Sequence, residues 1–423
     1  MSLSNVPSMM VSNTFLDKNS QAHASAMTAF GDIIDNGRES GASKLSIEVR
    51  THRGRPMLVV SDNGTGMTEA KVREGLMSIG YTSKDLSTGK HYGFGGKTAI
   101  PRVADSALIF TREAQTRNRT VGLLSTVLSE RLGSTETKMP LCSWEAAHKG
   151  NAIVGSSSDL APLTQSQREA SVHFMLEAAD CPYASAEQLL QEFDRKWPGS
   201  SHGATGTRLV MWGLKKDIHV KQRGDILVDA PPGAASHQRS LRAYAEVLYL
   251  KVGTKVQPSM SIDLRDTAVT PRDWQEYLVE MRQEYTLPKP HSSEVAAQFK
   301  AESGNAPAQT MSREAMANMT IGYARPMRDI ISVLSTRKSA DDDVTGAAEE
   351  KGEIAVEETG FFVYHKGRMT RMLEKVKTQT KMNNAAMTSK LRITQMGEGL
   401  TGFILETYLL QTHNKSAYLD SRL

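Results

Sequence analysis

"AFGDIIDNGRES", residues 29–40, is a short helical stretch carrying more acid than a buried helix tolerates. At about 100° per residue it divides into two faces. Phe30, Ile33 and Ile34 cluster on one side, at the i, i+3, i+4 spacing of a core-facing stripe. Asp32 and Asn36, one turn apart, share the opposite side. A solvated polar face is the ordinary fate of such a helix. Two further stretches of the chain argue for a functional one.

"SDNGTGM", Ser61–Met67, falls directly off the apolar run "MLVV", Met57–Val60. Gly64 and Gly66 permit positive φ and close backbone approach, and Asp62 can accept a hydrogen bond from an amino group on a flat ligand. Standing alone, the same letters also describe a hairpin turn. "GKHYGFGGKT", Gly89–Thr98, is glycine-rich without being a P-loop, because His91 stands where that motif needs a glycine five residues before Gly96. The dinucleotide fingerprint fails as well, lacking a third glycine after Gly93 and Gly95. What remains is a loop whose amides can cradle phosphates, with Lys97 and Thr98 adjoining it.

The chain of 423 residues is too long for one core and points to at least two domains. A hydrophobic share of 39 % and a charged share of 23 % are ordinary for a soluble protein. A net charge of +4 allows a local basic patch without announcing a nucleic-acid binder. Cys142 and Cys181 form no CxxC pair, and the eleven histidines form no HExxH pair, so neither a disulfide framework nor a zinc site is indicated. No signal peptide and no bilayer-length apolar run is legible, so the expected setting is intracellular, with no membrane partner.

"KLSIEVR" (Lys44–Arg50) alternates as a half-buried strand and, with "THRGRP" as its turn, pairs with "MLVV" as an antiparallel hairpin. "SALIFTR", "TVGLLSTVL" and "TGTRLVMWGL" read as further strands, and "SAEQLLQEFDRKW" as a helix within a Ser-, Ala- and Gln-rich stretch. A looser charged region from about 215 to 239 precedes "RSLRAYAEVLYL", an amphipathic helix opening a second domain. Residues 288–316 and the acidic run 339–358 read as insertions, followed by the strand-like pieces "GFFVYHKGRM" and "LTGFILETYLL".

An acid four residues before Asn on a helix, a strand ending in DxGxG and a glycine-rich lid, in that order, resemble the GHKL ATPases: gyrase, the heat-shock chaperones, histidine kinases and MutL. "TGTRLVMW" looks like their final motif. "SIGYTSK", "HYGFGGKT", "IFTR" with "VGLLS", "GTRLVMWGL", "SLRAYAEVLYL", "VYHKGRM", "EKV" and "QTHNKSAY" narrow the resemblance to the microrchidia (MORC) ATPases. The lid together with "THNK" favours MORC over gyrase or MutL, and the absence of a phospho-acceptor helix speaks against a histidine kinase. The similarity reaches both ends of the chain, which would be the catalytic module alone, without a CW zinc domain or coiled coil.

This resemblance implies a GHKL (Bergerat-type) α/β sandwich over residues 1–225, followed by a transducer-like α/β domain over 226–423. It implies that Asp32 is the base for the attacking water, at a position where the family has Glu, and that Asn36 binds Mg²⁺. Asp62 would read the adenine amino group, supported by Thr207, with Gly64, Gly66 and Met67 shaping the pocket. Thr82, Ser83 and Lys84 would touch phosphate. Tyr92, Gly93, Phe94, Gly95, Gly96, Lys97 and Thr98 would wrap the β- and γ-phosphates, and Lys415 would reach the γ-phosphate from the second domain. The implied function is Mg²⁺-dependent ATP hydrolysis coupled to homodimerisation, acting on DNA or chromatin with chromatin-associated partners. The implied compartment is the nucleus, with the cytoplasm as the alternative. A nucleotide-gated clamp with little hydrolysis, and a MutL- or topoisomerase-like DNA-processing ATPase, are the rival expectations.

Overall fold

The alternation of Leu45 and Ile47 becomes strand β2 (Lys44–His52), which turns through Arg53 and Gly54, both at positive φ, into β3 (Arg55–Asp62). Two consecutive left-handed residues are what a tight two-residue hairpin requires. The computed structural model describes residues 8–12, 23, 25–77, 95–131, 136–144, 163–199, 205–232, 234–253, 255–256, 260–287, 317–324, 360–365, 367–374 and 400–406. They form two compact units. The described part of the first falls within Met1–Glu246 and Ser259–Thr270, and that of the second within Val247–Pro258 and Pro271–Leu410. Among the described residues no helix is long and apolar enough to cross a membrane.

The first unit is built on an eight-stranded sheet of order β14-β13-β2-β3-β8-β4-β5-β7. Its other strands are β4 (Ala104–Arg112), β5 (Arg119–Ser125), β7 (Leu141–Trp144), β8 (Gly206–Leu214), β13 (Ser261–Leu264) and β14 (Thr267–Ala268). All neighbours run antiparallel except β13, which lies parallel to β2. A separate pair joins β1 (Ser8–Ser12) to β6 (Glu136–Lys138), and β9 (Ile218–His219) pairs with β10 (Leu227–Val228).

Period-two alternation gives the sheet two covered faces. Helix α1 (Ala26–Glu39) lies on the face carrying Leu45 and Asp62, where a Cβ on Gly37 would stand 2.8 Å from Leu45 and 3.3 Å from Asp62. It packs against α3 (Gly95–Val103); α2 (Glu69–Met77) sets Val72 against Leu141 of β7. Helices α5 (Gln165–Leu176) and α6 (Ala186–Asp194) cover the opposite face, packing Met175, Leu189 and Phe193 onto Val59, Leu108, Phe110, Leu123 and Val210.

That second face also buries charge. Arg208, 1 % exposed, donates to Ser61 Oγ at 2.9 Å, to Glu192 Oε1 at 2.9 Å and to the Glu192 carbonyl at 2.7 Å, and stacks on Trp197. Glu192 also accepts from Arg50 at 2.7 Å and pairs with Arg195 at 2.9 Å. The α5–α6 segment is thereby tied to the strands behind Asp62.

Two sequence readings need correction. "TVGLLSTVL" is a strand only to Ser125, because the Ser125 hydroxyl accepts the Leu128 amide at 3.1 Å and starts helix α4 (Thr126–Arg131). The charged region from 215 to 239 is folded, with the β9–β10 hairpin and the short helix α7 (Ser236–Arg239). The amphipathic helix that follows is α8 (Leu241–Leu248).

The second unit opens with the hairpin β11 (Lys251–Val252) and β12 (Lys255–Val256) and continues after β14 with helix α9 (Trp274–Tyr277). Its five-stranded sheet has the order β15-β16-β19-β17-β18, from β15 (Leu278–Leu287), β16 (Ala317–Ala324), β17 (Gly360–His365), β18 (Arg368–Glu374) and β19 (Leu400–Glu406). Buried Trp274 donates to the Tyr364 hydroxyl at 3.1 Å, which donates to the Val247 carbonyl at 2.8 Å. The segments 288–316 and 339–358 lie outside the described residues.

Candidate nucleotide site

Asp62 ends β3 on the α1 face, and its two carboxylate oxygens have different surroundings. Oδ1 accepts from the Gly64 amide at 2.8 Å, the Thr207 amide at 3.3 Å and the Ser40 hydroxyl at 3.3 Å. Oδ2 has no such partner among the described residues. Burial pushes the carboxyl up to about 6, against the opposing pull of those three donors. It is ionised at neutral pH and titrates within reach of mild acid.

Close backbone approach around Asp62 explains the glycines. A Cβ on Gly66, at φ +65°, would lie 2.1 Å from the Arg112 carbonyl oxygen; one on Gly206 would lie 2.0 Å from the Asp62 carbonyl oxygen. A Cβ on Gly64 would lie 1.9 Å from Ser40 Oγ. With these side chains missing, the loop seats against both neighbouring strands. The Met67 amide donates to Thr111 Oγ1 at 2.7 Å, the Ala114 amide to the Thr65 carbonyl at 2.9 Å, and Thr205 Oγ1 to the Gly64 carbonyl at 2.8 Å. Thr207 Oγ1 stands 3.5 Å from Thr111 Oγ1, at the rim of the same pocket.

The acid helix reaches this pocket through its C-terminal end. Ser40, directly after α1, donates to the Gly37 carbonyl at 2.7 Å as well as contacting Asp62. Asn63 Oδ1 accepts the amides of Ser43 and Lys44 at 2.9 and 2.8 Å, fixing the turn between α1 and β2. Asn36 is exposed on α1, whereas Asp32 is 1 % exposed and Asp35 is 3 % exposed. Gly95, Gly96 and Lys97 form the first turn of α3, followed by Thr98, which is buried with its hydroxyl 3.0 Å from His23 Nε2.

Residues 24–144 match the family described as "Histidine kinase-, DNA gyrase B-, and HSP90-like ATPase". MORC family CW-type zinc finger protein 1 of Mus musculus is 24 % identical over 96 % of this chain and 42 % of its own length. Protein MICRORCHIDIA 4 of Arabidopsis thaliana is 26 % identical over 56 % of this chain and 32 % of its own. The chain is similar to MORC proteins along most of its length, and its GHKL-type ATPase match lies in the first unit. It spans less than half the length of these MORC relatives. "ATPase MORC2" of Homo sapiens is 27 % identical over 56 % of this chain and 22 % of its own length. Among solved structures, the ATPase region of Saccharomyces cerevisiae topoisomerase II aligns with 92 % of this chain and 76 % of that chain, at 9 % identity and a TM-score of 0.39.

Of the residues named by the MORC resemblance, Asp62, Gly64, Gly66, Met67 and Thr207 lie together in the first unit, around the Asp62 carboxylate and Thr111. Thr82, Ser83, Lys84, Tyr92, Gly93, Phe94 and Lys415 lie outside the described residues. Sequence reasoning missed Ser40, Thr111, Gly206 and His23. The sequence signal for Gly206 was present: it opens the "GTR" strand whose partner ends in a second close-packed glycine loop. Ser40 and Thr111 carry no local signature, because each acts on a residue far away in the chain.

The pocket fits an adenine nucleotide on its own terms. One carboxylate oxygen at the end of a strand is held by the chain and the other has no partner among the described residues, while the glycines let the loop that carries it pack directly on Ser40, Arg112 and Asp62. The exposed Asn36 amide offers a hard oxygen of the kind that magnesium takes when phosphates supply other ligands.

Proposed function

We infer that the chain binds Mg·ATP in the first unit and hydrolyses its terminal phosphate. The observation that carries this is the divided carboxylate of Asp62: one oxygen is held by three donors of the chain, and the other has no partner among the described residues and so suits a ligand amino group. An ATPase domain over 1–225 and a transducer-like domain over 226–423 belong to this reading.

Asp62 holds adenine through Oδ2, while Thr207, Gly64, Gly66 and Met67 shape the base pocket. Magnesium, when bound, neutralises phosphate charge, and Asn36 is the side chain that would hold it. The first turn of α3, with Gly95, Gly96 and Lys97, offers amides to phosphate, joined by Tyr92, Gly93, Phe94, Thr82, Ser83 and Lys84. Asp32 takes the proton of the attacking water as the bond to the γ-phosphorus forms and the β–γ bridging bond breaks, releasing ADP and phosphate. Lys415 stabilises the charge on the γ-phosphate from the second domain. Nucleotide binding brings two copies together on DNA or chromatin, with chromatin-associated proteins as further partners and the nucleus as compartment.

A second reading, a nucleotide-gated clamp with little turnover, draws support from Asp32. It is one methylene shorter than glutamate and 1 % exposed, and about 1 Å of misplacement can cost roughly 100-fold in rate. ATP turnover and solution mass, each with and without a non-hydrolysable ATP analogue, separate the two. Asp32→Asn is expected to stop hydrolysis while analogue-dependent dimerisation persists. Turnover at the parental rate in that variant would remove Asp32 as the base.

A further inference from the structure

His23 is 3 % exposed and joins two helices that the sequence separates widely. Its Nε2 lies 3.0 Å from Thr98 Oγ1 on α3, and its Nδ1 lies 3.5 Å from Thr28 Oγ1 on α1. The Thr28 hydroxyl also donates to the Ser25 carbonyl at 2.8 Å. The imidazole thus bridges the two helices through both ring nitrogens, with the tautomer setting whether Nε2 donates to the Thr98 hydroxyl or accepts from it.

Helix α3 depends on such an anchor. It begins with Gly95 and Gly96, poor helix formers, and contains Pro101, which has no N–H for the Lys97 carbonyl. Thr98 sits one residue beyond Lys97 and is 2 % exposed, so its bond to His23 is shielded from water. The same imidazole touches the first turn of the helix that carries Asp32 and Asn36.

We propose that His23 is a positioning residue for the γ-phosphate end of the nucleotide: through Thr98 it fixes the first turn of α3 against α1, so that the α3 amides and Asp32 address one phosphoryl group. This rests on the ATPase reading above. It gives the Thr98 hydroxyl to the imidazole rather than to phosphate. The first-turn amides, which have no carbonyl partner within their own helix, are then the phosphate donors. ADP ends one phosphoryl group short and is held mainly by the Asp62 pocket, so it is indifferent to this latch.

The test is calorimetry on the full chain with magnesium, comparing a non-hydrolysable ATP analogue with ADP. His23→Ala and Thr98→Val should each weaken the analogue about tenfold and ADP less than twofold. Combining them should cost no more than either alone, because both break one bond. His23→Gln, which keeps a hydrogen-bonding group near the Nε2 position, and Thr98→Ser should recover most of the loss. Should His23→Ala fail to fold by circular dichroism, Thr98→Val and Thr98→Ser carry the comparison. Equal losses for both nucleotides, or additive losses in the double variant, overturn the positioning role, as does an unchanged analogue-to-ADP ratio in Thr98→Val. A parent chain that binds neither nucleotide overturns the ATPase reading together with this one, whereas parental binding lost in Asp62→Asn but indifferent to Thr98→Val overturns this one alone.

Discussion

Replacing Asp62 by asparagine should separate binding from stability, moving them in opposite directions. Three donors converge on Oδ1, so the asparagine carbonyl oxygen will take that place and its NH₂ will occupy the position of Oδ2. A donor then faces the adenine amino donor. Losing a hydrogen bond to a charged acceptor and leaving a buried donor unsatisfied should together cost about 2–4 kcal/mol, or roughly 30- to 1,000-fold in ATP affinity. Stability should rise instead. The carboxyl sits at about 6 in the folded chain against an ordinary aspartate value of 3.8, so ionising it inside the fold costs about 3 kcal/mol at neutral pH. Asparagine escapes that cost, and the nucleotide-free variant should unfold later, by about 1–3 kcal/mol.

The parent carries the same opposition in its pH dependence. Between about 4 and 6 the folded chain binds more protons than the unfolded one, so Asp62 makes the fold more stable as pH falls through about 6. ATP affinity should fall over the same interval as the acceptor is neutralised. Calorimetry at about pH 7.5 and about pH 5.5, on either side of that titration, with thermal unfolding of the nucleotide-free chain, measures both. An Asp62→Asn variant that binds ATP within threefold of the parent would refute the reasoning and reduce Asp62 to a turn residue.

Gly66→Ala places a Cβ 2.1 Å from the Arg112 carbonyl at positive φ; it should cost more than about 2 kcal/mol in chemical denaturation and abolish ATP binding. Asn36→Ala should remove the magnesium dependence of ATP affinity with little change in Tm, because Asn36 is exposed; unchanged magnesium dependence would unseat the helix from the site. Glu192→Ala strips Arg208 and Arg50 of their shared carboxylate on the far face of the sheet. Breaking a buried pair costs about 3–5 kcal/mol, so a Tm lower by roughly 10 °C is expected, and a loss under about 1 kcal/mol would contradict the burial argument.

The pocket around Asp62 was legible because its information is local. A strand, an acid and two glycines two apart lie within "MLVVSDNGTGM", and the side-chain period places the acid on a definite face. Where partners are remote, the letters were silent. Arg208 reads as one more polar position in an alternating strand, and Glu192 as a charge on a helix, yet they meet across 16 residues, with Arg50 joining from 142 residues away. "SIDL" is too short to stand out as a strand, and its partner β2 precedes it by more than two hundred residues. Ser125 hid a change of conformation inside a continuous apolar run, because a single capping hydroxyl outweighs strand propensity there.

The chain's return to its first sheet bears on how this protein can be divided. After α8 it contributes β11 and β12 to the second unit, comes back to lay β13 along β2, turns through β14, and only then resumes the second unit. A fragment cut near residue 225 would lose β13 and β14 and leave β2 as an open edge, its amides and carbonyls facing water beside a largely apolar strand. Open edges of that kind recruit other chains. A fragment ending beyond Thr270 keeps the edge paired, with Ser261 bonded to the Ser43 carbonyl at 2.9 Å and Lys44 bridged to Asp263 at 2.7 Å. No single cut in the chain separates the two units whole.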